Sequence, residues 1–212
     1  MPPGVHNAEN TGLTEEILRQ IRAFSTGGGY HFEPGPREPH EARNPRDPQS
    51  DGVTEDLCLG GARVARSGGG PTYCCGVTFE VWWRAWFAAG GQAPAGLDGE
   101  GLRALLSTWF CPSMGHPGVQ AALIAHELGH EIDIEAARPG DLIQFWRSVD
   151  LAAPSGHSAV FLGWDDEGQG HATLRYWSSQ PATGGIGIHS ETVGPAWQLF
   201  TVRPASPPDS RQ

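Results

Sequence analysis

The spacing of apolar residues changes character once along this chain, from a helical period in its first two thirds to a strand period in the remainder. Leu13, Ile17, Ile21 and Phe24 recur at helical spacing, so the stretch around residues 14–22 is expected to form a short amphipathic helix. The run Val77-Thr78-Phe79-Glu80-Val81-Trp82-Trp83-Arg84-Ala85-Trp86-Phe87-Ala88-Ala89 is apolar on nearly every face and closes on Gly90-Gly91, a C-cap pattern. Its single polar stripe is the i,i+4 pair Glu80 and Arg84, which predicts a helix buried in the middle of the domain. Two further helices fit 98–110 and 119–128, with Gly129 ending the second. Short β-rich stretches then follow at 141–146, 158–164, 172–178, 186–192 and 197–202, separated by turn residues. Helices followed by strands indicate an α+β fold, with N-terminal helices packed on a five-stranded antiparallel sheet.

The segments between these elements divide the chain. Residues 1–11 read as a disordered lead, and 26–51 carry glycines, prolines and charges without periodicity, as do the solvated His31, His40 and Glu41 within them. The expected organisation is an N-terminal helix with a Pro/Gly-rich flexible segment over 1–56, a folded domain over 57–203, and a disordered tail over 204–212. Composition agrees with one substantial core. Hydrophobic residues make up 38 % of 212, and 30 glycines bring the apolar share to a globular level, which excludes wholesale disorder.

Charge and cysteine usage narrow the function. A net charge of −10 and a sequence pI near 5.3 leave no basic footprint, so no nucleic-acid partner is expected. No apolar run is long enough to span a bilayer, and Met1 to Thr11 shows neither a charged n-region nor an apolar h-region, so a conventional secretion signal is not expected. The four cysteines, Cys58, Cys74, Cys75 and Cys111, show no CxxC spacing and are too sparse for a disulfide framework. They point to thiol chemistry or burial. Of the aromatic residues, Tyr73, Trp82, Trp83, Trp86, Trp146 and Trp164 are expected in the core, with Tyr73 and Trp146 the nearest of them to a cleft.

Cys74 stands where the Trp-rich helix begins. A thiol there gains from the positive end of the helix dipole and from unpaired backbone N–H groups, which favour thiolate. Attack on an amide carbonyl further needs a base, a group that orients the base, and donors for the oxyanion. His157, in Pro154-Ser155-Gly156-His157-Ser158, enters a strand directly after a turn and is the candidate base. On the next strand Ser178 and Gln180 share one face, and either could hold the imidazole in the required tautomer. This chemistry requires no cofactor and no metal.

Three motifs, Tyr73-Cys74-Cys75-Gly76-Val77-Thr78 opening a helix, Arg138-Pro139-Gly140-Asp141-Leu142-Ile143 opening a strand, and Gly156-His157-Ser158-Ala159-Val160-Phe161 on the following strand, occur in that order. Together they resemble the NlpC and CHAP-type cysteine peptidases and amidases, papain-like hydrolases that cut peptide bonds of bacterial cell walls. The resemblance spans roughly residues 57–202 and implies a papain-like cysteine hydrolase core. It also implies Cys74 as nucleophile, His157 as base, Ser178 or Gln180 as orienting residue, and a peptide or peptidoglycan-fragment substrate. The chain departs from the family pattern in having Tyr73 before the cysteine and Cys75 after it, which makes Cys75 the alternative nucleophile; the offset from Gly76 favours Cys74. Asp141 reads as a turn residue serving the backbone.

Two alternatives compete. His126-Glu127-Leu128-Gly129-His130 spells the short zinc metallopeptidase motif, in which two histidines one helical turn apart hold zinc and the glutamate activates water. It requires one continuous helix over 126–130 and a third ligand such as His157, His171 or His189. The other alternative is a catalytically inactive binding module on the same scaffold.

Overall fold

The most apolar stretch of the sequence becomes the centre of the molecule. A computed structural model describes residues 12–31, 50–94, 97, 99–150, 155–166 and 172–208; the lead at 1–11, residues 32–49 with His40 and Glu41, His171 and the last four tail residues lie outside the described residues. Helix α2, Cys74–Ala88, is buried on all sides, including Glu80. Phe79, Trp82, Trp86 and Trp109 meet in a run of ring contacts with centroids 5.3 to 5.9 Å apart. Large aromatic surfaces of this kind carry much of a core's stabilisation, about 1.5–3 kcal/mol for each fully buried large side chain.

Around α2 pack α1 (Gly12–Ile21), α3 (Gly99–Trp109) and α4 (Gly118–Ala125). Leu13 and Ile17 of α1 belong to the same core as Val53 and α2, so the packed unit crosses the boundary drawn at residue 56. A hairpin of β2 (Leu57–Leu59) and β3 (Ala62–Ala65) precedes α2. Among the described residues no helix is long and apolar enough to cross a membrane.

The fold is mixed α+β with a large antiparallel sheet, and that sheet has seven strands rather than the five expected. Its order is β1 (Gly27–Gly28), β8 (Gly185–Thr192), β7 (Ala172–Gln180), β6 (Ser155–Asp166), β5 (Leu142–Ser148), β9 (Gln198–Pro204), β4 (Gly129–Ile132). The five expected strands form the middle; both additions are edges. Strand β1 consists of two glycines, so no side-chain alternation marks it. Strand β4 lies where the apolar helix of 119–128 was expected to end. The helix stops at Ala125 because Glu127 takes a left-handed backbone (φ 56°), and Gly129 then runs against β9. A Cβ on Gly129 would come within 2.9 Å of the Arg203 carbonyl oxygen. The chain also leaves β9 paired rather than free at residues 201–204, and Ala205 N–H donates to the Leu128 carbonyl.

Side-chain alternation gives the sheet two buried faces. Leu142, Val160, Trp177, Ile186 and Val202 meet the helices, whereas Ile143, Phe145, Ala159, Phe161, Leu174 and Tyr176 form a second cluster. Trp164, expected in the core, is 38 % exposed because it lies toward the far end of β6. Asp141 serves the backbone as expected. Its carboxylate accepts the Arg138 N–H at 2.7 Å and is gripped from β9 by Arg203 at 2.9 and 3.0 Å.

The N-terminus of α2 is fixed by a close approach of backbone. Residues 50–52 thread between the Tyr73 ring and the first turn of α2, and two glycines make the room. A Cβ on Gly76 would fall 2.3 Å from the Asp51 carbonyl oxygen, and one on Gly52 would fall 2.3 Å from the Tyr73 ring. One turn further on, Thr54 donates both its N–H and its hydroxyl to the buried Glu80 carboxylate, each at 2.6 Å. The glycine two residues after Cys74 is therefore a packing requirement. Gly76→Ala should lower stability by about 1–3 kcal/mol, the usual cost of overpacking against backbone that cannot yield; urea unfolding of the variant beside the wild type measures it.

Candidate active site

Cys74 is the first residue of α2 and 6 % exposed. Its helix start has no side-chain cap, because Tyr73, the N-cap residue, makes no capping hydrogen bond. The first backbone N–H groups of a helix lack intrahelical acceptors, so those of the Cys74 turn point outward at the thiol's own end.

His157, the third residue of β6, is buried and stands close enough to the Cys74 thiol to favour its ionised form. The adjacent cysteines address adjacent residues of that strand. Cys75 Sγ lies 3.3 Å from Ser158 Oγ, on the strand face that meets the helices, while Cys74 reaches His157 on the other face. Cys74 is thus the thiol that meets the imidazole.

The imidazole is held on its other side by Gln180, whose Oε1 lies 3.3 Å from His157 Nε2. The orientation of that amide follows from its surroundings. Gln180 Nε2 donates to Thr183 Oγ1 at 2.7 Å and to the Gly187 carbonyl at 3.3 Å. The Thr183 hydroxyl itself donates to the Gly185 carbonyl at 2.5 Å, so toward Gln180 it accepts. Gln180 therefore presents its oxygen to the ring, and an amide oxygen only accepts. His157 must carry its proton on Nε2, which leaves Nδ1 as the acceptor for the thiol proton.

Ser178, the other candidate for this role, is turned away from it. Its hydroxyl donates to the Ser158 carbonyl at 2.6 Å, satisfying a backbone group within the sheet instead of the imidazole. Around His157 the walls are aromatic. Phe145 and Tyr176 stand edge-on to the ring at 5.4 and 5.5 Å. Trp197 stacks on Phe145, and the Arg147 guanidinium lies over both rings while pairing with Glu191. Trp146 is buried against Gly156, the residue before His157, with its indole N–H on the His116 carbonyl. Tyr73 is buried too, edge-on to Phe110, so it packs the helix start rather than lining a cleft.

Several participants were not expected from sequence. Tyr30, joined to Thr72 by a parallel bridge, is near enough to both thiols and to Arg147 that their charges act on it; burial first, then Cys74 and Cys75, push its phenol above the ordinary range. It follows three glycines in an aperiodic segment, so nothing local marked it. Thr183 sits in the Gln180-Pro181-Ala182-Thr183 turn, where a hydroxyl three residues after Gln180 was a readable cue. Ser158 donates to Gln144 Oε1 at 2.5 Å beneath Cys75.

The electrostatics reverse one expectation. The Cys74 thiol titrates above its ordinary range, because its hydrogen bond with Cys75 and then burial favour the protonated form, against the opposing pull of His157. The resting thiol is therefore protonated, and the nucleophile arises by proton transfer to His157.

The metallopeptidase motif is not on a helix. His126 caps the end of α4, Glu127 has a positive φ, and His130 lies in β4 opposite Arg203. The imidazoles are therefore not one helical turn apart, and of the remote ligands considered, His157 is engaged by Gln180 and His189 stands edge-on to Tyr176. Among the described residues, no three His, Cys, Asp or Glu side chains are arranged to hold a metal ion.

Because Cys75 is the largest influence holding the Cys74 proton on, Cys75→Ala should move the midpoint of Cys74 alkylation by iodoacetamide to lower pH. The pH dependence of the alkylation rate, read by peptide mass spectrometry, checks the direction. No protein-family model, curated protein or solved structure matches this chain.

Proposed function

We propose that this protein is a papain-like cysteine hydrolase that cleaves an amide bond through an acyl-thioester on Cys74. The observation that carries this reading is the one-way run of hydrogen bonds from Thr183 through Gln180 to His157, ending at a thiol on a helix N-terminus. Such a run has no structural task that a plain apolar core would not perform better, since each buried polar group costs stability unless fully satisfied.

In the reaction His157 Nδ1 takes the Cys74 proton as sulfur attacks the carbonyl carbon of the substrate. The tetrahedral oxyanion is met by the Cys74 backbone N–H. The imidazolium then gives its proton to the departing amine, leaving the acyl-thioester. Water, deprotonated by the same imidazole, releases the acid and restores the thiol. Gln180 acts through His157: it fixes the tautomer and accepts from Nε2–H throughout, as the orienting member of such triads does.

The substrate class we assign is a peptide, and within that class the stem peptide of peptidoglycan. This rests on the resemblance of the Cys74-Cys75-Gly76, Pro139-Gly140-Asp141 and Gly156-His157 motifs to NlpC and CHAP-type enzymes.

Release of free amine from peptidoglycan fragments tests the reading. Cys74→Ala should abolish turnover with an unchanged far-UV circular dichroism spectrum, and turnover retained by that variant contradicts the assignment. Gln180→Ala should lower kcat with little change in KM, because it alters the base and not substrate contact.

A further inference from the structure

Three of the four cysteines come together, which neither hydrolysis nor packing demands. Cys74 Sγ lies 3.8 Å from Cys75 Sγ. Cys111, which follows α3 in a left-handed backbone (φ 56°), lies near enough to Cys75 to act on its thiol. Independent contacts fix that placement. Trp109 Nε1–H donates to Thr78 Oγ1 at 3.3 Å, tying the end of α3 to the first turns of α2. Gly118 faces the Cys111 sulfur so closely that a Cβ there would fall 2.2 Å from it and 3.2 Å from Gln144 Oε1. Gln144 accepts from Ser158, whose hydroxyl lies 3.3 Å from Cys75 Sγ. The sulfurs therefore stand in the order Cys74, Cys75, Cys111, with the middle one neighbouring both others.

We propose that these thiols form a redox relay that transfers an oxidation of Cys74, inflicted by a hydroperoxide, to a Cys75–Cys111 disulfide and so returns Cys74 reduced. The inference rests on Cys74 being the reactive thiol of the proposed hydrolase. In the first step the Cys74 thiolate attacks the peroxide, forming a sulfenic acid as the O–O bond breaks and an alcohol or water leaves. Cys75 sulfur then attacks the sulfenic sulfur, expelling water and closing a disulfide between adjacent residues. That small ring is strained within the first turn of a helix, and strained disulfides exchange readily. Cys111 is next in line beyond Cys75, so its thiolate attacks the Cys75 sulfur. The Cys74–Cys75 bond breaks, and Cys74 leaves as a thiolate beside His157. The net change reduces one hydroperoxide with two electrons and two protons from Cys75 and Cys111.

The regiochemistry is set by position. Without Cys111 the oxidation has no route past the adjacent pair, and Cys74 remains open to a second, irreversible oxidation to sulfinic acid. Cys58, exposed in β2, serves as the internal reference.

The test uses the full chain, reduced, freed of reductant, treated with hydrogen peroxide, then quenched with iodoacetamide and mapped without reduction. Fragmentation between Cys74 and Cys75 locates the bond. The expected product is a Cys75–Cys111 disulfide with Cys74 still alkylated; in Cys111→Ser the same dose should end alkylation of Cys74 and yield its sulfinic acid or its bond to Cys75. Cys58→Ser should behave as the wild type. Wild-type protein in which Cys74 is alkylated readily before peroxide yet is over-oxidised with Cys75 and Cys111 still reduced overturns the relay and leaves the hydrolase reading standing. A Cys74 that neither iodoacetamide nor peroxide modifies overturns both.

Discussion

The arrangement depends on a direction imposed on hydrogen bonds. A glutamine is ambiguous by itself, since its amide can donate or accept, and an imidazole has two neutral tautomers. Here the ambiguity is removed from behind: Gly185 offers only a carbonyl, Thr183 must donate to it, Gln180 must donate to Thr183 and Gly187, and His157 must donate to Gln180. Each choice forces the next, and the last leaves a lone pair on Nδ1 for the thiol. Because His157 and Gln180 are both buried, water does not compete for the bond between them.

The rest of the molecule can be understood as what holds the two ends of that run together. The helix carrying Cys74 is buried in the core with its own aromatic residues packed against α1 and the sheet, and it is pinned at its start by the 50–52 backbone, which only Gly52 and Gly76 admit. The strands carrying His157 and Gln180 lie in the middle of the sheet, β6 beside β7, where neither is an edge. Rigid elements on both sides keep a contact of hydrogen-bond length between residues 83 positions apart, as the Cys75 and Ser158 contact measures directly. The neutral resting thiol follows from the same rigidity: packing that keeps Cys74 dry and against Cys75 also keeps it protonated.

What could be read in the sequence was whatever rests on residue type at a marked place. Cys74 at a helix start, His157 at a strand start and the Ser178/Gln180 pair on one strand face were all visible, and so was the α+β order with the middle five strands. Choosing Gln180 over Ser178 was not, because both have the right parity and the decision is made by the Thr183 turn and by the Ser158 carbonyl that Ser178 serves instead. Strand β4, Gly129–Ile132, begins just past the helical run once Glu127 turns left-handed, and its pairing is supplied by β9, which nothing in its own four residues announces. Tyr30 and Cys111 arrive by irregular backbone, where no periodicity tells which way a side chain faces.

The state of the His157 ring tests this account most directly. Long-range ¹⁵N–¹H correlation spectra of the imidazole, recorded at a pH where it is neutral, distinguish the two tautomers. The account predicts a proton on Nε2 and a bare Nδ1, with that preference lost in Gln180→Leu. A neutral ring protonated at Nδ1 in the wild type would contradict it, since the thiol would then face a donor and have no base.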